Sequence, residues 1–174
     1  MFKKLIFGLS LWLFATTLSF GANFDDGVNA YEKGDYKTAL TIFEDLAKKG
    51  DIDAQYNLGL MYDNGYGVKQ DYKKAFEWYE KAATQGYIDA QYDLGLMYHN
   101  GHGVRQDYKK AFEWTEKSAA QGFVKAQYNL GVMYDDGYGV RQDKKIAKEL
   151  YGKACDGGFQ IACDNYKILN QEGY

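Results

Sequence analysis

Residues 54–89 and 90–125 align without gaps and differ at only ten of thirty-six positions. A third copy, residues 126–161, keeps the first half closely and drifts in the second; a fourth begins at Ala162 and stops within "ACDNYKILNQEGY". Upstream, residues 22–53 read as the same unit with four residues missing from its turn. A fixed period of this length means one supersecondary unit stacked on copies of itself, because each unit buries its apolar face only against a neighbour. The chain is therefore expected to be a solenoid.

Each unit reads as two helices. Ala54, Leu58, Met61 and Tyr62 fall at i, i+4, i+7 and i+8, which is one helical stripe. The stretch "YDNGYGV" (62–68) follows, and returns as "YHNGHGV" (98–104) and "YDDGYGV" (134–140). Gly65 and Gly67 are expected to end the first helix, since glycine enters the left-handed conformation at little cost. Asp71 then stands where an N-cap belongs, as do Asp35, Asp107 and Asp143 in the other copies. Tyr72, Ala75, Phe76, Tyr79, Ala82 and Ala83 carry the second helix, and Gly86, Gly122 and Gly158 stop it. Gly59, Gly95 and Gly131 lie inside first helices, where glycine costs about 0.8–1 kcal/mol against alanine. Repeating that cost predicts a close helix–helix approach at the same spot in every unit, with Ala54 and Ala75 small for the same reason. The glycine-rich turn is thus a connector. A phosphate loop would need a strand before it and usually a lysine after it.

The pattern "AxYxLGxMYxxGxGVxxDxxKAxxWxxKAAxQG" resembles the Sel-1-like repeat, a relative of the tetratricopeptide repeat with a longer turn. The match covers residues 54–161, and residues 22–53 look closer to a plain tetratricopeptide repeat. Residues 162–174 are expected to be a truncated C-terminal capping helix. The resemblance implies an all-α fold, a right-handed α/α superhelix whose concave surface is lined by the first helix of each unit. It also implies an adaptor that holds other proteins. Secreted, cysteine-rich members are similar and bridge cysteines at the spacing of Cys155 and Cys163, which implies a disulfide here. Ala83 and Ala119, with Gln55, Gln91 and Gln127, stand where those members carry further pairs. Some of them are described as penicillin-binding or β-lactamase-like.

The N-terminus differs from the rest. Lys3 and Lys4 precede an apolar run from Leu5 to about Phe20, with Ser19 and Gly21 at the −3 and −1 places of a signal-peptidase site. That run is short for a membrane span, so residues 1–21 are expected to be a cleaved signal peptide and the protein exported, periplasmic or secreted. Cleavage moves the formal charge from −3 to −5, with 19 basic residues against 24 acidic. No basic stripe is present, so neither nucleic acid nor an anionic membrane is an expected partner. In an exported chain, two cysteines across a helix–turn–helix corner argue for a structural bridge over a reactive dithiol.

Chemistry is sparse. The one serine after residue 21 is Ser118, at a position held by Ala82 and Ala154 in sister units, and it starts neither S-x-x-K nor lies in G-x-S-x-G. His99 and His102, in "HNGH", are too few for a zinc site and read as solvated turn residues. Glu77 and Glu80 with Lys73 and Lys81 match surface pairing at helical spacing. No catalytic residue, metal or cofactor is expected.

A second stripe on the first helix remains: Tyr56, Leu60 and Asp63; Tyr92, Leu96 and His99; Tyr128, Val132 and Asp135. Spacing i, i+4, i+7 puts each triplet on one face. Tyrosine offers both apolar area and a hydrogen bond, which suits a recognition groove; it also suits packing between neighbouring helices. The expectation is a non-enzymatic scaffold for a peptide or protein partner, with specificity at the Asp/His position. The alternative is a β-lactamase-like hydrolase acting on β-lactams or peptidoglycan fragments, and it rests on the resemblance alone.

Overall fold

The computed structural model describes residues 22–174; the expected signal peptide, residues 1–21, lies outside them. Within the described residues the chain is all-α: α1 (Phe24–Glu32), α2 (Tyr36–Lys48), α3 (Ile52–Asn64), α4 (Tyr72–Thr84), α5 (Ile88–Asn100), α6 (Tyr108–Ala120), α7 (Val124–Asp136), α8 (Lys144–Asp156) and α9 (Gln160–Gln171). Each helix packs mainly on the helices before and after it, giving a helical repeat superhelix. None of these helices is long and apolar enough to cross a membrane.

The helix starts follow the aspartates. Asp35, Asp71, Asp107 and Asp143 each accept a backbone N–H of the first turn, at 3.0–3.2 Å. Asp51 does the same for α3, whereas α5, α7 and α9 start at Tyr87, Phe123 and Phe159 with no side-chain cap. There the aromatic ring packs on the preceding unit's tyrosine (Tyr87 on Tyr56, Phe123 on Tyr92, Phe159 on Tyr128), so ring packing, and not a side-chain hydrogen bond to the first-turn N–H groups, anchors these helix starts.

The two turn glycines have separate jobs. Gly65, at φ 75°, is the left-handed C-cap of α3 and donates its N–H to the Met61 carbonyl. Gly67, at φ 70°, lies beyond the helix. A methyl group there would sit 2.6 Å from the Tyr36 carbonyl oxygen at the start of α2, and Gly103 and Gly139 approach Tyr72 and Tyr108 in the same way. The second glycine therefore seats each turn on the unit before it. Aromatic rings complete that joint: Tyr66 stacks on Tyr36, His102 on Tyr72 and Tyr138 on Tyr108, with centroids 5.0–5.2 Å apart.

Glycines inside the helices mark the expected close approach. A methyl on Gly59 would meet the Tyr79 ring at 2.5 Å, on Gly131 the Tyr151 ring at 2.8 Å, and on Gly27 the Phe43 ring at 2.5 Å. These three rings are fully buried and fill the space between the two helices of their units. In the unit of α5 and α6 the ring is absent, because Thr115 occupies that position.

Four corners between successive units align in register. Gln55 Nε2 donates to the Ala47 carbonyl, Gln91 Nε2 to that of Ala83 and Gln127 Nε2 to that of Ala119. At the fourth corner the same two positions are Cys155 and Cys163, which form a disulfide with Cα atoms 4.7 Å apart.

Candidate functional site

Thr115 leaves a gap. A cavity of about 250 Å³ opens between the units of α5–α6 and α7–α8, lined by Gly95, Leu96, His99, Ala111, Thr115, Tyr128, Asn129, Val132, Met133 and Tyr138. Its floor is the bare Gly95 backbone beside the short Thr115 side chain, whose Oγ1 would lie 2.6 Å from a methyl on Gly95. Leu96, Val132 and Met133 make the walls apolar, and His99 stands at one side with its ring edge-on to Tyr108 and Tyr138 at 5.1 and 5.7 Å.

Of the nine residues in the candidate stripe, four line this pocket: Leu96, His99, Tyr128 and Val132. All nine are half-buried. Tyr56 packs on Tyr79 and Tyr87 and donates its hydroxyl to Asp93 at 3.2 Å. Tyr92 packs on Phe123 and accepts from Asn129 Nδ2 at 3.4 Å. Tyr128 packs on Tyr151 and Phe159 while also facing the cavity. Leu60 joins the apolar core of the first units, and Asp135 accepts the Tyr151 hydroxyl at 3.3 Å. Asp63 lies by the Tyr79 hydroxyl, and burial raises its pKa. The tyrosines thus bind neighbouring helices together as well as framing the surface.

His99 and Thr115 change together. In the units on either side an aspartate faces a tyrosine, Asp63 with Tyr79 and Asp135 with Tyr151. In the pocket's unit the matching residues are His99 and Thr115. His99 is not a turn residue: it is the penultimate residue of α5 and packs on rings instead of standing in solvent. Gly95, Thr115, Asn129 and Tyr138 were not singled out by the stripe. Thr115 was detectable, since it is one of the ten positions at which the two best-matched units differ.

Asp93 is a second residue with unusual electrostatics. Burial pushes its carboxyl up to about 7, the hydrogen bond from Tyr56 works against that, and the nearby Asp63 and Asp89 add to it. Sister units carry the neutral Asn57 and Asn129 at this place. Ser118, by contrast, is fully buried and donates its hydroxyl to the Ile88 carbonyl at 3.0 Å. A hydroxyl closed off from solvent in this way has no approach to a substrate, so Ser118 is a packing residue. Among the described residues no three His, Cys, Asp or Glu side chains gather into a metal-binding cluster.

The family model described as the Sel1 repeat matches residues 52–87, 88–123 and 124–159. The chain belongs to the Sel1 repeat family. Among solved structures it is similar to a Sel1 repeat protein from Oxalobacter formigenes, 31% identical with a TM-score of 0.81, covering 88% of this chain and 61% of that one. It is also similar to a protective antigen of uropathogenic Escherichia coli strains that displays an SLR fold, 34% identical with a TM-score of 0.79 over 88% of this chain and 37% of that chain. The chain therefore spans about three-fifths and under two-fifths of these two Sel1 repeat structures. Cysteine rich protein B of Helicobacter pylori shares the fold at 24% identity and a TM-score of 0.56, over 83% of this chain and 97% of that one. No curated protein matches significantly. Sel1 repeat solenoids commonly serve as protein-interaction scaffolds, and the stacked units here have that architecture.

Proposed function

We propose that this Sel1 repeat protein is an exported scaffold that holds a peptide or protein partner along the face made by α3, α5 and α7, the concave side of the superhelix. The observation that carries this reading is the apolar pocket of about 250 Å³ on that face, which takes in Leu96, His99, Tyr128 and Val132. Recognition pockets are concave, mostly apolar and edged by a few polar groups; here His99 and Asn129 supply the polar edge. Tyr56 and Tyr92 extend the face along the solenoid, rigid because each is held by the next unit. The Cys155–Cys163 disulfide supports export, since such bonds persist in oxidising compartments, as does the signal-like run at residues 5–20. Removal of residues 1–21 would leave an acidic protein, with 19 basic residues against 24 acidic.

Site-specific photocrosslinking in the producing cell tests this. A photoreactive residue at position 96 or 132 should give a discrete crosslinked species, and one at Glu113, exposed on the second helix of the same unit, should give none. Equal labelling from all three positions would contradict it.

A further inference from the structure

We propose that the pocket between the second-helix residue Thr115 and the first-helix residues Leu96 and Val132 is a receptor for one aromatic side chain, a tyrosine or phenylalanine presented by the partner. The inference deepens the scaffold reading and rests on it. Its argument comes from the other units. Phe43, Tyr79 and Tyr151 are aligned residues, and each puts a ring against a helix glycine of its own unit: Gly27, Gly59 and Gly131. The fourth aligned position, Thr115, has no ring, yet the matching glycine, Gly95, is kept.

A glycine inside a helix costs about 0.8–1 kcal/mol against alanine, and it is useful where something must pack on the bare backbone. In three units that something is the chain's own ring. In the fourth, Thr115 itself packs on the glycine, its Oγ1 2.6 Å from where a methyl would stand, and beyond that short side chain, where the ring lies in the other units, Ala111, Leu96, Val132 and Met133 surround a space. The volume agrees: a buried apolar cavity of about 150 Å³ accommodates benzene, and this one measures about 250 Å³. Tyr128 supplies an aromatic wall. The polar groups agree as well. The Tyr151 hydroxyl donates to Asp135 at 3.3 Å, the aligned Asp63 lies near the buried Tyr79 hydroxyl, which has no hydrogen-bond partner, and the residue at that place in the pocket is His99, able to donate to or accept from a phenol. A guest ring entering from the open side would take the place of the missing tyrosine.

The test uses p-cresol, the isolated tyrosine side chain, titrated into the purified protein and followed by two-dimensional NMR. Saturable shifts of the Leu96, Val132 and Met133 methyl groups are expected, with a dissociation constant of about a millimolar or tighter for so small a ligand. Thr115→Tyr, which restores the ring found in sister units, should weaken binding at least tenfold while circular dichroism stays helical. Val132→Phe fills the space from the opposite wall and should do the same, which covers failure of the first variant to fold. Non-saturable shifts, or p-cresol binding unchanged in both variants, would overturn the proposal. Partner crosslinking is independent of p-cresol: crosslinks with no p-cresol binding would sink the pocket alone, and p-cresol binding without crosslinks would sink the scaffold.

Discussion

Asp93 shows how one atom-scale difference between repeats changes the energetics. Its folded-state pKa of about 7 lies above the ordinary carboxylate value, so the folded protein binds that proton more tightly than the unfolded chain does. Its contribution to stability is therefore fully present below about pH 4, falls as the pH rises from there to about 7, and is flat beyond. Asp93→Asn, which copies Asn57 and Asn129, should flatten that slope and raise stability at pH 8 by roughly 1–3 kcal/mol, read from urea denaturation at pH 4.5 and pH 8. Equal pH slopes in the two proteins would contradict the assignment. The glycines give a second residue-scale contrast. Gly86, at φ 95°, faces open space, whereas Gly103, at φ 69°, lies against the Tyr72 carbonyl. Gly86→Ala should cost about 1–2 kcal/mol for the left-handed backbone alone. Gly103→Ala carries the same backbone cost and a steric clash between units, so its urea midpoint should drop clearly further. These glycines were visible in the sequence as turn formers, but the docking role of the second one was not, because it depends on a contact about thirty residues away along the chain.

Among elements, α9 depends most on a single link. Three corners are tied by a glutamine donating to an alanine carbonyl, and the last by the Cys155–Cys163 bond. A hydrogen bond contributes roughly 1 kcal/mol net, and closing so short a covalent loop roughly 2–3 kcal/mol. The stronger link stands where α9 packs on α8 with exposed Ile161 and Ile168 and no further described helix beyond it. Reduction should lower the melting temperature by about 5–10 °C and open residues after about 156 to protease, while residues 54–140 stay protected. Two free thiols in protein purified under non-reducing conditions would contradict this. Helix pairs, N-capping aspartates and glycine stops were legible because each follows from local backbone chemistry. The aromatic anchoring of the starts of α5, α7 and α9 was not, since a ring contact depends on the neighbouring unit's tyrosine.

Across the whole molecule, the packing of an aromatic ring on the first-helix glycine recurs in every unit but one, and that unit holds the pocket. Periodicity revealed the solenoid because identical units must bury identical faces. It also revealed the stripe of nine candidate residues, but not that only four would meet in a cavity. Two units can share a stripe and differ in function when one core residue, Thr115 in place of tyrosine, is shorter. Filling the gap should make the stack more regular. Thr115→Tyr combined with His99→Asp, which rebuilds the Asp–Tyr pair of the adjoining units, should raise the melting temperature by a few degrees and abolish partner crosslinking from position 132. A lower melting temperature with crosslinking intact would show that the pocket is packing space and not a site. The most direct test of the central claim is peptide selection on the purified protein. A random peptide library displayed on phage should yield binders that carry an aromatic residue, lose at least tenfold in affinity on Leu96→Arg, and bind Glu113→Arg as they bind the unaltered protein. Binders indifferent to Leu96→Arg, or an exhaustive selection that recovers none, would contradict it.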